Sequence, residues 1–417
     1  MARFRIVGGK KLSGVAKISG SKNEALKLIP LSVVINNKLL VSNVPRIKDI
    51  SSMLEIFESI GGKYKFYGNT LSLDGRAVNK TRIPTKLAGK LRSSIVFLGP
   101  LLARFGEVSC PHPGGCVIGS RSINTHTDAF RQLGAILTID DCRFNLKINK
   151  NSGGTVVLKE KSVTATENII LYACSLDSKI VLKNCAIEPE IIHLLKTIRR
   201  GGARVRGIGS RFVTIEGKEF LKIKNIEVIP DRIEAGTFAI ALIATGGSGK
   251  VTPFPKNDLA PLVNLLKKSG AKISFKGKDL IVKESHKISP FSISTSPHPG
   301  FPTDLQSPMS LIAAIAKGKS KISENLFENR LVYLLELEKM GLSVTIDGPH
   351  KATITGPVKF QAKTIDSLDL RSGITLLIAG IMAQGETVIN KAEIIDRGYE
   401  NVEKKFIRLG AKIYRET

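Results

Sequence analysis

Six times along this 417-residue chain an apolar helical pattern runs into a glycine and then into a strand-like run, at Gly61, Gly134, Gly202, Gly270, Gly341 and Gly410. The intervals are 73, 68, 68, 71 and 69 residues, so the chain reads as six copies of one unit. In SSMLEIFESIGGKYKF, Met53, Ile56, Phe57 and Ile60 share one helical face, Gly61 or Gly62 can supply the positive φ of a C-cap, and residues 63–66 alternate. The later copies read AFRQLGAILTI, TIRRGGARVRG, LLKKSGAKISF, ELEKMGLSVTI and KFIRLGAKIYR, and in the fourth Leu259, Leu262, Val263 and Leu266 form the stripe. A short polar turn precedes an apolar run earlier in each unit, at Asn36-Asn37-Lys38, Gly106-Glu107, Asp177-Ser178-Lys179, Ser248-Gly249-Lys250, Gly318-Lys319 and Gly385-Glu386. Such a unit is longer than common solenoid repeats and has room for two helices with three or four strands. The expected class is therefore α/β, with two domains of three units each.

No early segment combines a basic stretch, an apolar core and a small-residue cleavage site, and no run reaches 18 apolar residues, so a cytoplasmic protein without membrane insertion is expected. The five cysteines, Cys110, Cys116, Cys142, Cys174 and Cys185, are odd in number and lack paired metal spacing. They fit a reducing compartment, and no metal site is expected. The excess of 63 basic over 36 acidic residues gives +27, which favours anionic ligands. The lysines are spread through nearly every unit and only 6% of residues are aromatic, so no physiological nucleic acid is expected as a partner. A Walker A pattern, a strand-placed GxGxxG and an HExxH spacing are all absent, and GGSGK at 246–250 falls where every other unit has its polar turn. No cofactor is called for.

The most irregular segment is PHPGGCVIGSR at 111–121, where two prolines and a glycine pair place Cys116 on a connection that can expose a thiol. A thiol beside cations can donate a proton or attack an electrophilic carbon. In SGSKNEALKL, Lys22 and Asn23 follow a small-residue turn and open an apolar helix, a favourable place for a phosphate or carboxylate. Arg92, Arg371 in DLRSG and Arg397 in IDRGYE also sit at turns, which points to a multiply charged substrate held by forked donors. Asp304 in FPTDLQ and Asp369 each have the chemistry to take a proton from a hydroxyl, to cap a helix or to pair with arginine.

Taken in order, SKNEAL, PGGCVIG with Arg121, PDRIE, FPTD, FENR, DLR and IDRGYE resemble the bacterial enolpyruvyl transferase family, in its branch acting on UDP-N-acetylglucosamine in peptidoglycan synthesis. The resemblance runs collinearly from the first residues to GAKI at 410–413. It implies two inside-out α/β barrel domains of three repeats each. Residues 1–20 with 230–417 would form one domain and 21–229 the other, with a mobile cysteine loop near 111–121 and an active site in the interdomain cleft. It also implies the reaction: transfer of enolpyruvyl from phosphoenolpyruvate to the sugar 3-hydroxyl, with loss of phosphate. On the family pattern Lys22, Arg121 and Arg397 hold phosphoenolpyruvate, with Arg92 and Arg371 supporting. Cys116 protonates the enol carbon or forms a phosphoenolpyruvate adduct and is the residue alkylated by fosfomycin, Asp304 deprotonates the hydroxyl, and Lys22 is catalytic with them. Asn23, Arg92, Arg121, Ser162, Val163, Thr164, Asp304, Phe327 and Arg330 would contact the UDP-sugar, and Asp231, Glu188, Glu190 and Asp369 would support the site.

Two places depart from that pattern. Ser122-Ile123-Asn124-Thr125-His126 replaces the usual proline and the nucleotide-contacting stretch after it, and Thr164 stands for a common glycine beside the diphosphate. Both touch nucleotide recognition, which keeps a related UDP-sugar open as the acceptor. The shikimate-pathway transferase shares the architecture but lacks the PGGC motif. A basic RNA-binding or scaffold protein is the non-enzymatic alternative, and it would bind with an affinity falling uniformly with salt. The oligomeric state is left open.

Overall fold

The computed structural model describes residues 2–114, 119, 122–140, 143–149, 153–219 and 221–416. The chain divides into two compact units, one holding Met1–Ser19 and Pro230–Thr417, the other residues 20–114 and 122–229. Each has its own hydrophobic core.

The repeat is a parallel strand pair joined through a buried helix, followed by an outer helix and a further antiparallel pair. In the unit containing Pro230, Ser292–Ser294 leads into the helix Gln306–Ile315 and then Gly318–Ser323, which lies parallel to the first strand. The outer helix Tyr333–Lys339 and the hairpin Ser343–Ile346 with Lys351–Gly356 complete the four-stranded sheet. The other repeats follow this plan with exceptions. At the two chain crossings the parallel partners are not joined through the buried helix: Asn225–Glu227 lies parallel to Leu39–Ser42, and Ser13–Lys17 to Ser248–Thr252. Two further repeats vary. In one, Arg3–Val7 supplies a strand between Glu386–Asn390 and Lys412–Glu416. In the other, the parallel strand shrinks to a bridge between Arg82 and Ser109, leaving a three-stranded sheet. Each repeat has its inner and outer helix and a sheet of three or four strands, and the second adds the short helix Thr85–Ala88.

Inner and outer helices differ as their sequences require. Arg232–Ala244, RIEAGTFAIALIA, is apolar on every side after its first turn, and all its residues are buried. The outer helix Lys48–Ser59 is amphipathic, burying Met53, Ile56 and Phe57 while its opposite face is solvated. The six repeat glycines end the outer helices, and each has φ between 88° and 111°. The polar turns noted in the sequence lead into the strand that follows each inner helix, and Gly246 of GGSGK is left-handed, with φ 64°, just past the end of Arg232–Ala244.

The glycine ends allow a graded test. At Gly410 a Cβ would meet nothing within 4 Å, so Gly410→Ala bears only the left-handed backbone cost, about 1–2 kcal/mol. At Gly61 a Cβ would lie 2.6 Å from the Ala77 carbonyl oxygen, so Gly61→Ala is expected to cost more. Urea midpoints of the two variants should fall in that order.

Candidate active site

The inner helices put their N-terminal ends to use. Lys22 and Asn23 open Lys22–Leu31; Arg92 begins the 3-10 turn Arg92–Phe97 that runs into Leu98–Phe105; Ser162 caps Val163–Ala173. In the other unit Asp231 caps Arg232–Ala244, Asp304 lies in the 3-10 turn Thr303–Leu305 ahead of Gln306–Ile315, and Asp369 caps Leu370–Met382. Every one of the six carries an expected site residue at the end where unpaired N–H groups and the helix dipole favour anions.

In the unit containing Pro230 two of the three carboxylates cap their helices and the third does not. Asp369 Oδ1 accepts from the Arg371 and Ser372 N–H groups at 2.7 and 3.2 Å, while the Ser372 hydroxyl accepts from the Asp369 N–H at 2.9 Å. Asp369 is thus committed to a capping box. Asp231 caps in the same way, accepting from Ile233 and Glu234 N–H at 2.8 and 3.0 Å. Asp304 is held by two side chains instead, with Arg330 Nη2 at 2.6 Å from one carboxylate oxygen and Arg371 Nη2 at 2.9 Å from the other. Both arginine side chains are 5% exposed, against 25% for Asp304. Burial alone would weaken the charge of Arg330, but Asp304 and then Asp369 outweigh it and raise its pKa. Arg371 is raised likewise, burial being outweighed by Asp304, Tyr399 and Asp231. The Phe327 ring centroid lies 5.8 Å from the Arg330 guanidinium carbon, so Asp304, Phe327, Arg330 and Arg371 form one cluster. Arg397 ends the half-buried 3-10 turn Ala392–Arg397.

The second unit gathers cations and carboxylates around its own inner helices. Lys22 Nζ is 2.6 Å from Asp49 Oδ2, both side chains being under 10% exposed. Lys27, one turn further along, is fully buried against Glu167. Burial raises the pKa of Glu167, opposed by Lys27 and reinforced by Glu190 and Glu188, which places those two expected supporting residues beside this pair. Glu188 occupies the N-cap position of the outer helix Pro189–Arg200 without a side-chain cap bond, and Glu24 joins His193 and the Ile229 N–H. Arg92 donates to the Ser122 carbonyl at 3.0 Å. Its charge also acts on His126, whose pKa burial, and then Arg92, push down to about 3. Cys110 is buried and its thiol is pushed up to about 12, so it is inert at neutral pH. Cys116 and Arg121 lie outside the described residues.

Sequence reasoning missed Asp49, Lys27 with Glu167, and the tie between Thr164 and His126, whose ring nitrogen lies 3.1 Å from the threonine hydroxyl. The stretch containing His126 and the residue Thr164 stood out separately as departures, but nothing in the spacing joined them. Among the described residues no helix is long and apolar enough to cross a membrane.

The family model of EPSP synthase (3-phosphoshikimate 1-carboxyvinyltransferase) matches residues 6–406. A UDP-N-acetylglucosamine 1-carboxyvinyltransferase of Pelagibacter ubique is 39% identical over 416 residues, covering 100% of both chains. One from Prochlorococcus marinus is 41% identical, over 99% of this chain and 91% of its own. The enolpyruvyl transferase NikO from Streptomyces tendae superposes with a TM-score of 0.89 at 22% identity, covering 100% of this chain and 99% of its own. EPSP synthase from Acinetobacter baumannii superposes over the whole of both chains at 0.75 and 18%. At those identities the two structures bear on the fold alone.

Proposed function

The chain belongs to the EPSP synthase family and, within it, to the UDP-N-acetylglucosamine 1-carboxyvinyltransferases, and on that premise we propose that it moves enolpyruvyl from phosphoenolpyruvate to the sugar 3-hydroxyl of UDP-N-acetylglucosamine, an early step of peptidoglycan synthesis. The observation that carries this reading is full-length similarity to transferases of that name, supported by polar residues at the ends of all six inner helices. Each unit, in this reading, closes its three repeats as an inside-out barrel, and both units contribute groups to the reaction.

The chemistry assigns work to residue types. The sugar hydroxyl oxygen bonds to C2 of phosphoenolpyruvate while its proton leaves and C3 gains one; C3 then loses a proton as the C2–O bond to phosphate breaks. Asp304 is the group that takes the hydroxyl proton, and Cys116 the one that serves C3. Lys22, Arg121 and Arg397 hold the phosphate and carboxylate of phosphoenolpyruvate, with Arg92 and Arg371 adding positive charge. Asn23, Ser162, Val163, Thr164, Phe327 and Arg330 face the nucleotide sugar, and Asp231, Glu188, Glu190 and Asp369 hold the supporting frame. The scheme needs no cofactor.

A related UDP-sugar is the second reading, favoured by the Thr164 side chain at the start of Val163–Ala173. Incubation with phosphoenolpyruvate and a panel of UDP-sugars, read by mass spectrometry, tests both. The expected result is an enolpyruvyl adduct and phosphate release only when both substrates are present. No adduct with any sugar would remove the enzymatic assignment, and an adduct with another sugar alone would select the second reading.

A further inference from the structure

The hydrogen-bond directions around His126 are determined by its surroundings. Asn168 Oδ1 accepts from the Gly99 N–H at 2.8 Å, which fixes the amide so that Nδ2 is the donor, and Nδ2 reaches the Ile95 carbonyl at 2.9 Å. The same Nδ2 lies 2.9 Å from His126 Nδ1, so Nδ1 must accept and carries no proton. His126 is 1% exposed and held neutral, so its one proton is on Nε2. Nε2 lies 3.1 Å from Thr164 Oγ1 and therefore donates to it. That leaves the Thr164 hydroxyl proton with no acceptor among the described residues. A threonine hydroxyl normally turns to suit either role; here the imidazole N–H takes the acceptor role and leaves the hydroxyl free to donate.

Thr164 is the second residue of Val163–Ala173, half-buried, on a helix end that attracts anions. The Arg92 guanidinium adds positive charge beside the same histidine, while Glu160, bound by the Thr125 hydroxyl at 2.8 Å, is exposed and flanked by Lys159 and Lys161. We propose that the Thr164 hydroxyl, made a donor by His126, donates to a diphosphate oxygen of the nucleotide sugar, with His126 as its positioning residue. The proposal rests on the nucleotide-sugar reading above and specifies what this chain gains from a threonine at that position. A glycine there offers only its backbone N–H, whereas threonine adds a second donor whose direction is set by a buried chain running back to the Ile95 and Gly99 backbone.

Uridine diphosphate, titrated calorimetrically into the full chain, is the probe. Thr164→Ser keeps the hydroxyl and should bind as the parent does; Thr164→Val keeps the shape without the donor and should bind about tenfold more weakly, the size of one hydrogen bond to a charged acceptor. In turnover the loss should fall on KM for the nucleotide sugar more than on kcat, and His126→Gln should raise the same KM. Thr164→Ala serves if the valine variant melts early, since it opens room for water at Nε2. Equal affinity of the Thr164→Val, or in that case the Thr164→Ala, and parent proteins for uridine diphosphate would overturn the proposal, as would no binding by the parent. Binding without any enolpyruvyl product would instead remove the proposed reaction and leave the diphosphate contact standing.

Discussion

Asp304→Asn is expected to lower kcat/KM for enolpyruvyl transfer by about 10²–10⁴, the range of a lost general base. The substitution keeps the shape of the side chain and removes the charge that faces Arg330 at 2.6 Å and Arg371 at 2.9 Å. It therefore carries a second effect, on stability. Two guanidiniums that are 5% exposed lose their nearest counter-charge, and breaking a buried pair from one side costs about 3–5 kcal/mol. Because Asp304 is 25% exposed, the lower end of that range is expected, about 3 kcal/mol. Steady-state rates and urea unfolding on the same preparation separate the two effects. Arg330→Met should relieve part of the stability loss in the Asp304→Asn background by removing one unpaired charge, while turnover should stay low. Full turnover in Asp304→Asn would remove the carboxylate from the proton-transfer role.

Acid should destabilise the protein through His126. Its pKa is about 3 in the folded state against 6.5 ordinarily, because burial and then Arg92 disfavour the cation. A depressed folded pKa leaves stability intact above pH 6.5 and removes it as pH falls toward 3, since the unfolded chain takes up the proton that the folded one refuses. Across that interval the loss amounts to about 4–5 kcal/mol, at about 1.4 kcal/mol per pH unit. Glu167 and Glu234 act in the opposite sense. Their pKa values are raised by burial, so ionising them costs the folded state and mild acid favours it. The His126 contribution is isolated by comparison with His126→Gln, which does not titrate. Between pH 7.5 and pH 5.0 the stability gap between parent and variant should narrow by about 2 kcal/mol. An unchanged gap in urea unfolding would mean that His126 is protonated in the folded protein.

Local signals were readable in the sequence because each depends on neighbours a few residues apart. A stripe ending in glycine needs only the helical period and the steric freedom of one residue, and all six glycines take the left-handed conformation. Asp369 and Asp304 could not be told apart at that level, since a carboxylate near a helix start caps or pairs according to what lies across from it. The structure gives Asp369 the cap and Asp304 two arginines from 26 and 67 residues further along the chain. Lys27 was hidden for the same reason: within LKLIP it reads as a solvated lysine, and only the packing of Lys22–Leu31 against Val163–Ala173 shows that it faces Glu167. The conflict between His126 and a charged state lies wholly in three dimensions, in a pocket made by Asn168, Thr164 and the Arg92 field.

The strand Arg3–Val7, held between Glu386–Asn390 and Lys412–Glu416, has a consequence for biosynthesis. Arg5 meets Glu386 across 381 residues of chain, so at about 5–20 residues per second the ribosome takes roughly 20–80 s to deliver the partner. The unit between the two chain crossings has all its strands once Glu227 has emerged, whereas the surrounding one begins first and is completed last. Nascent Arg3–Val7, with apolar Phe4 and Ile6 destined for full burial, is an unpaired edge throughout that wait. Its alternating arginines, Arg3 and Arg5, keep one face charged over the same period.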